Sequence, residues 1–506
     1  AWDCGQGTLG LKKAFVPFGL QKEFAPRQWS YRVPTNIYWI FAFMIRVDYA
    51  GCFGDKRIES RGSLLHQRLF SSSTRSIQAL SLNRAEQKGF YRFLHTSKTS
   101  EDHLIRELAA RCSHQVKGKV VLSIQDTTEV NLSTHRGRLK DASGLGGIDD
   151  SRGIGFKLHP SLVVDAETCF PLGFSSIKMW GRELDMPNKF ERKYFSLPVE
   201  EKESYKWIEA SNQSKKTLAE AALVVIVQDR EGDIFEQFLQ IPDERTHLLI
   251  RSRMNRNTQS LEGKLWDSLS ASAKLGDYQL RLDSDSHGNT PSRDATIEVR
   301  CIKTSIRSPK GGKNKGVELY AVEALEVGAF GFQGVHWRLL TTWPVIDFDQ
   351  ARLIIEWYSW RWFIEELFRM LKKEGFNIEG SELETGWSIR KLTVMLLDTI
   401  MKLMQMHIAY NEPEEANVPD TDLLFSREEQ QCIAALNSRN EGKTEALKNP
   451  FKPGKLNHAV WVLSRIGGWK GYTSQRKPGM TTMFKGLTKF YDMYDGWNLQ
   501  KDVGTR

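Results

Sequence analysis

The sequence predicts a mixed α/β protein. Its sheet begins as an antiparallel meander, continues with strands that follow helices, is interrupted by a β-rich insertion and is flanked by helical domains. Three observations predict this. VVLSI (120–124), VVIV (224–227) and HLLIR (247–251) are short apolar runs of strand length. Helix-compatible stretches separate the later runs, as crossover connections do. Between about 254 and 335 turn residues alternate with segments such as TIEVRCI and VELYAVEAL.

The bulk numbers bound the class. A chain of 506 residues holds about three domains at the usual ~100–200 residues each. With 40% hydrophobic and 26% charged residues, it has the composition of a globular protein that can bury a sizeable core. The formal charge of +9 is unevenly spread. Nine basic residues lie between Lys56 and Lys98 against Glu59 and Glu86, and six lie between Arg300 and Lys315 with no acid. Each run fits a solvated face or a nucleic-acid footprint. The six cysteines are scattered without a CxxC pair, which excludes a zinc ribbon or a disulfide scaffold and fits a reducing compartment. The run Tyr38–Ile45 is far shorter than the ~20 residues of a membrane helix.

Taken in order, residues 1–52 are aromatic-rich without a pattern and receive no assignment. LLHQRL (64–69), AEQKGFYRFL (85–94) and EDHLIRELAARC (101–112) have helical spacing, so 53–112 reads as a small helical domain with a basic face. KGKVVLSIQDTTEV (117–130) reads as a buried strand with Asp126 at its end. The glycine-rich SGLGGIDDSRGIG (143–155) lacks the GK[ST] ending of a phosphate-binding loop. FKLHPSLVVD (156–165) and FPLGFSSIKMW (170–180) read as two more strands, 199–222 as helical, and ALVVIVQDREGDIFEQFL (222–239) as a strand ending in Asp229 followed by a helix. The expected order is three strands, helix, strand, helix, strand, which matches the ribonuclease-H-like fold. One long helix is expected from about Phe348 to Glu374, and another apolar one over 386–410. The catalytic core is thus placed at 113–253 and 336–410, with the insertion at 254–335. A linker spans 411–422, and a helical C-terminal domain spans 423–506.

WYSWRWFIEELFRMLKKEG (357–375) is the most informative segment. On one continuous helix Tyr358, Arg361, Trp362, Glu365, Arg369 and Lys372 share a stripe, and Trp357, Trp360, Phe363, Ile364, Leu367, Phe368, Met370 and Leu371 take the opposite arc. Glu366 reads as a generic surface charge. Such a stripe also suits an ordinary solvated face, and an aspartate at a strand end also suits a helix cap. Together, Asp126, Asp229 and Glu365 supply the hard oxygen ligands that divalent cations prefer, and nearby cations suit DNA phosphates.

The spacing of Tyr358, Arg361, Glu365 and Lys372 (Y-x2-R-x3-E-x6-K) resembles the YREK motif of bacterial insertion-sequence DDE transposases. SIQDTTEV (123–130), DDSRGIG (149–155) and VIVQDREGDI (225–234) resemble that family's two aspartate segments and the loop between them. FGDKR (53–57) and GFYRFL (89–94) resemble its DNA-binding domain, and AVWVLSRIGGWKGY (459–472) its C-terminal domain, so the likeness covers about 53–498. Lys372 is followed by KEG rather than a shorter turn before glycine, and 1–52 has no counterpart. The resemblance implies a cut-and-paste transposase with a ribonuclease-H-like core. Asp126, Asp229 and Glu365 would be its catalytic, metal-binding triad, holding two Mg²⁺ ions with Mn²⁺ as a substitute. Tyr358, Arg361 and Lys372 would contact phosphates of the transposon end. Trp337, in HWRLLTTWP, would stack on a flipped base with Trp362 lining the pocket; a strand-core aromatic is the other reading of Trp337. The family nicks DNA by hydrolysis, forms and reopens a hairpin, and transfers the 3′-hydroxyl to target DNA without a covalent protein intermediate. Its partners would be double-stranded DNA (inverted repeats and target) and a second copy in a homodimer held by the C-terminal domain. Its place would be the bacterial cytoplasm, on the nucleoid. Another ribonuclease-H-like nuclease, or a silent DNA-binding derivative, remains open at this point.

Overall fold

The structure is a computed structural model describing residues 47–504, except 48, 73, 149–152, 184–195, 260–262, 283–291, 309–315, 329–333, 374 and 473–475. Most of the unassigned segment 1–52, the DDSR of the glycine-rich loop, the end of the second basic run and Glu374 therefore lie outside the described residues. The chain divides into two compact units. Leu249–Glu356 belongs to the smaller one; the larger is built from the chain before and after it.

The larger unit opens with four helices: α1 (Lys56–Ser71), α2 (Ile77–Leu80), α3 (Arg84–His95) and α4 (Glu101–Gln115). Their starts are chemically marked. Asp55, Asn83 and Ser100 each accept a bond from an otherwise unpaired first-turn N–H, on Arg57, Glu86 and His103. Leu65, Leu69, Phe90, Phe93 and Leu104 are buried, while Lys56, Arg57, Arg84, Lys88, Arg92 and Lys98 are exposed.

The sheet follows as β1 (Val120–Gln125), β2 (Thr128–Asn131), β3 (Gly146–Ile148), β4 (Gly153–Asp165) and β5 (Pro171–Trp180). β4 pairs antiparallel with β1, β2, β3 and β5, which gives the expected meander with two short strands added. The helix α5 (Tyr205–Thr217) then leads to β6 (Leu223–Gln228), which lies parallel to β1. A parallel neighbour requires such a crossover because a tight turn can only reverse the chain. α6 (Phe235–Gln240) and β7 (Thr246–Arg251) follow, and β7 carries the chain into the smaller unit.

In the smaller unit α7 (Leu265–Ala271) precedes β8 (Lys274–Leu282), β9 (Arg293–Ile306), β10 (Val317–Glu326) and β11 (His336–Thr341). These pair antiparallel in sequence, and β11 pairs with the Leu249–Arg251 end of β7. Across the whole chain the fold is α/β with a mixed arrangement of eleven strands among the described residues.

α8 (Phe348–Ser359) leads back to the larger unit, where α9 (Trp362–Lys372), α10 (Gly386–Asn411), α11 (Arg427–Asn440), α12 (Leu456–Ile466) and α13 (Met480–Gly504) complete the chain. The single long helix expected from Phe348 to Glu374 is thus two. At Trp360 and Arg361 the backbone tightens to bonds three residues apart, from Arg361 N–H to Tyr358 and from Phe363 N–H to Trp360. α10 is long and apolar enough to cross a membrane by composition, but 89% of that window is buried inside the protein, where it packs against α1, α3, α4, α9, α12, α13 and β5. Asp398 on α10 is buried and pinned by Arg111 Nη2 (2.9 Å), His66 Nε2 (2.8 Å) and Lys402 Nζ (3.2 Å), which ties the N-terminal helices to this core helix.

Candidate active site

The site is built on two strand ends. β1 and β6 run parallel in a register that pairs Ile124 with Val227. Continued by one residue the register sets Gln125 beside Gln228, and by two it sets Asp126 beside Asp229. Parallel neighbours lie about 4.8 Å apart, and successive side chains alternate between faces. The two glutamines therefore share one face and the two aspartates the other. Gln228 Nε2 donates to Gln125 Oε1 at 2.8 Å and reaches Ser211 Oγ on α5 at 3.2 Å, and Gln237 on α6 donates to Gln228 Oε1. All four side chains are fully buried; these bonds satisfy Gln125 Oε1 and both ends of the Gln228 amide, while Gln125 Nε2 and Gln237 Oε1 have no partner among the described residues. This glutamine lock fixes the positions from which the aspartates emerge, and sequence reasoning missed it. Its signal was present: the dipeptide Gln-Asp occurs at both strand ends, in SIQDTT and IVQDRE.

The third carboxylate comes from α9. Arg361 sits at the tightened turn before that helix, 7% exposed. Its Nη1 donates to Asp126 Oδ2 at 2.9 Å and its Nη2 donates to Glu365 Oε1, one turn on. One guanidinium thus bridges two of the three predicted carboxylates. The third, Asp229, accepts a bond from the Tyr358 hydroxyl at 3.3 Å, and Tyr358 is itself buried. Asp126 Oδ1 also accepts from the Thr127 N–H at 2.7 Å, while Thr127 Oγ1 pairs with the buried His159 Nδ1 at 2.8 Å. Asp126, Asp229, Glu365, Tyr358 and Arg361 are brought together.

The other predicted residues are placed differently. Lys372 closes α9 and pairs with Glu379 at 3.3 Å, and Glu379 in turn accepts from the Asn131 N–H. Trp362 is the first residue of α9 and is half-buried. Trp337 is a half-buried residue of β11, opposite Ala324, in the smaller unit. The expectation for Glu366 is overturned. It is 8% exposed and pairs with Arg369, because it falls on the core side of α9 and takes a cation three residues along for compensation. Phe363 and Phe368, assigned to the apolar arc, are only half-buried.

Burial pushes the Asp126 carboxyl up to about 6, and Asp229 and Glu365 push the same way; Arg361 and the Thr127 N–H only partly oppose them. Asp126 shares its guanidinium with Glu365, so the single cation does not offset the enclosure. For Arg361, burial acts downward, but the charges of Tyr358, Asp126, Glu365 and Asp229 outweigh it and hold the guanidinium above its ordinary range. The three carboxylates therefore form one electrostatic unit. Their donor set is all oxygen, the chemistry that Mg²⁺ and Mn²⁺ take. As they stand, no three His, Cys, Asp or Glu side chains among the described residues are close enough to hold a metal ion, and Arg361 occupies the approach between Asp126 and Glu365.

No family model matches the chain. Among solved structures it is similar to a piggyBac transposase in a synaptic complex with hairpin DNA, with a TM-score of 0.32 and 10% sequence identity. The match covers 70% of this chain and 66% of that one, just under two thirds of its length.

Proposed function

We propose that this chain is a DNA transposase of the DDE type with a ribonuclease-H-like core, similar to those of bacterial insertion sequences. It would cut double-stranded DNA at inverted repeats and transfer the freed 3′-hydroxyl to target DNA. The observation that carries the reading is the meeting of Asp126, Asp229 and Glu365 around Arg361 and Tyr358, from two adjacent strand ends and one helix. Those three carboxylates would hold two Mg²⁺ ions, with Mn²⁺ as a substitute. When bound, two such ions supply activation of a water or 3′-hydroxyl and charge neutralisation on the leaving oxygen.

The chain's own residues do the rest. Asp126 and Asp229 offer oxygens at fixed positions because the glutamine lock prevents the strand ends from sliding. Tyr358 orients Asp229 through its hydroxyl. Arg361 and Lys372 would hold backbone phosphates, with Arg361 suited to a forked, two-point grip. Trp337 and Trp362 would stack on displaced bases, worth about 1–3 kcal/mol per base. The exposed cations of α1 and α3 would track the repeat DNA from outside the reacting centre. The protein would act as a homodimer pairing two ends on nucleoid DNA in the bacterial cytoplasm.

The test is Mg²⁺-dependent cleavage of DNA carrying the inverted repeats that flank the gene. The wild-type chain is expected to cut at the repeat boundary, and Glu365→Gln to bind the same DNA without cutting. Binding without cleavage by the wild type would refute the catalytic reading and leave a DNA-binding protein. Cleavage without transfer of the 3′-end would leave a nuclease of the same fold.

A further inference from the structure

We propose that Arg361 is an internal counter-cation of the active site. In the protein without DNA it holds the oxygens the metal ions need, and it yields them when a DNA phosphate draws its guanidinium away. The inference rests on the reading of Asp126, Asp229 and Glu365 as metal-holding carboxylates and adds how that site is regulated.

Three observations carry it. The first is competition for the same atoms. Arg361 donates to Asp126 Oδ2 and Glu365 Oε1, so a divalent ion held by those carboxylates would have to compete with both bonds and with a buried positive charge. The second is the placement of the other cations of α9. Arg369 is paired with Glu366 and Lys372 with Glu379, so the two carboxylates are bridged by Arg361 and not by the cations further along the helix. The third is the pivot. Arg361 is the residue at the turn between α8 and α9, where bonds from Arg361 N–H to Tyr358 and from Ile364 N–H to Arg361 span only three residues. Its long side chain springs from the cap position of α9, so its release requires no helical hydrogen bond to break. A guanidinium fits a phosphate by two parallel bonds as well as it fits a carboxylate. The exchange is therefore a swap of one anion for another, with the carboxylates passing to the metal.

Such an exchange couples two binding events, and coupling is reciprocal: DNA must strengthen metal binding by the factor by which metal strengthens DNA binding. A chain built this way takes up metal tightly only once DNA is present.

The experiment measures Mn²⁺ binding to the full chain by the loss of the free-ion paramagnetic resonance signal, with and without a short DNA duplex. The wild type, Arg361→Ala and Arg361→Gln are compared, each with and without Asp126→Asn. Arg361→Gln keeps most of the side-chain volume and serves if Arg361→Ala does not fold. Without DNA, removing Arg361 is expected to tighten Mn²⁺ binding by roughly tenfold or more, within the usual range of site-to-site coupling. DNA should tighten binding several-fold more in the wild type than in the Arg361 variants, because the ions also meet DNA oxygens directly in every variant. Equal Mn²⁺ affinity in wild type and Arg361 variants, with loss of binding on Asp126→Asn, would overturn the counter-cation while keeping the carboxylate site. Mn²⁺ binding indifferent to Asp126→Asn in every background would overturn the carboxylate site itself, and the counter-cation with it.

Discussion

Asp126→Asn should make the metal-free protein more stable. The carboxyl is moved from its ordinary 3.8 to about 6, chiefly by burial. At ~1.4 kcal/mol per pH unit, keeping it ionised in the folded chain costs about 3 kcal/mol at neutral pH. Asp126 retains 22% of its side-chain surface, so solvent screening trims the figure to about 2 kcal/mol. Asparagine keeps the shape and can still accept the Thr127 N–H, and Arg361 keeps Glu365 as a partner. With an unfolding entropy of ~2.1 cal/mol/K per residue, about 2 kcal/mol in a chain of this size raises the melting temperature by about 2 °C. The direction with pH follows from the raised value. Above about pH 6 the aspartate is ionised in both folded and unfolded chains and the cost is fully present. Between about 6 and 3.8 the folded chain takes up the proton first, and below 3.8 the cost is gone. The advantage of asparagine should therefore fall to about half by pH 5. Thermal melts with chelator at pH 7.5 and pH 5 test this. An Asn variant less stable than wild type at pH 7.5, or an advantage that ignores pH, would refute the reasoning.

Two further perturbations follow from the described geometry. Glu366→Ala should lower stability by about 1–2 kcal/mol in a urea melt, because it leaves Arg369 without its partner beside the core; an unchanged midpoint would restore Glu366 to the surface. Burial lowers His66 to about 4 despite its bond to Asp398, so the unfolded chain takes up a proton from about pH 6.5 downward while the folded chain does not until about 4. The wild type should lose about 3 kcal/mol more over that window than His66→Gln does, measured as a difference so that Asp126 cancels, and identical slopes would contradict it.

The strands that carry the site were legible because buried strands are simple runs: β1, β4, β5, β6 and β7 each show as an apolar segment of the right length. β2 was hidden because Thr128–Asn131 follows β1 by two residues and reads as its continuation. β3 was hidden because Gly-Gly-Ile has no strand pattern of its own; it pairs because β4, at thirteen residues, is longer than any one antiparallel neighbour needs. The break between α8 and α9 left no trace either. Kinks usually announce themselves by proline or glycine, and Trp360-Arg361 is neither, so the apolar period runs on through it. That break changes the meaning of the motif residues. Tyr358 and Arg361 do not share a continuous helical stripe with Glu365 and Lys372; they stand before the turn and at it, so Arg361 reaches inward to two carboxylates while Lys372 pairs with Glu379.

The site was legible as three carboxylates but not as a mechanism of placement. A lone aspartate at a strand end is as good a cap as a ligand, and the sequence separates the two readings only when the residue before it is counted. Gln125 and Gln228 precede the two aspartates, and alternation sends each glutamine to the opposite face from its aspartate. On that face they meet each other, Ser211 and Gln237, in a fully buried cluster. A slip of one residue between β1 and β6 would offset Gln125 from Gln228 and leave the buried Gln125 Oε1 without its donor, at a cost of about 1–3 kcal/mol for each group newly left unpaired. The polar pair therefore specifies a register that the apolar residues of two all-buried strands leave weakly defined. The same register sets Asp126 abreast of Asp229, where Arg361 and Tyr358 of the segment that leads to Glu365 bond to one each.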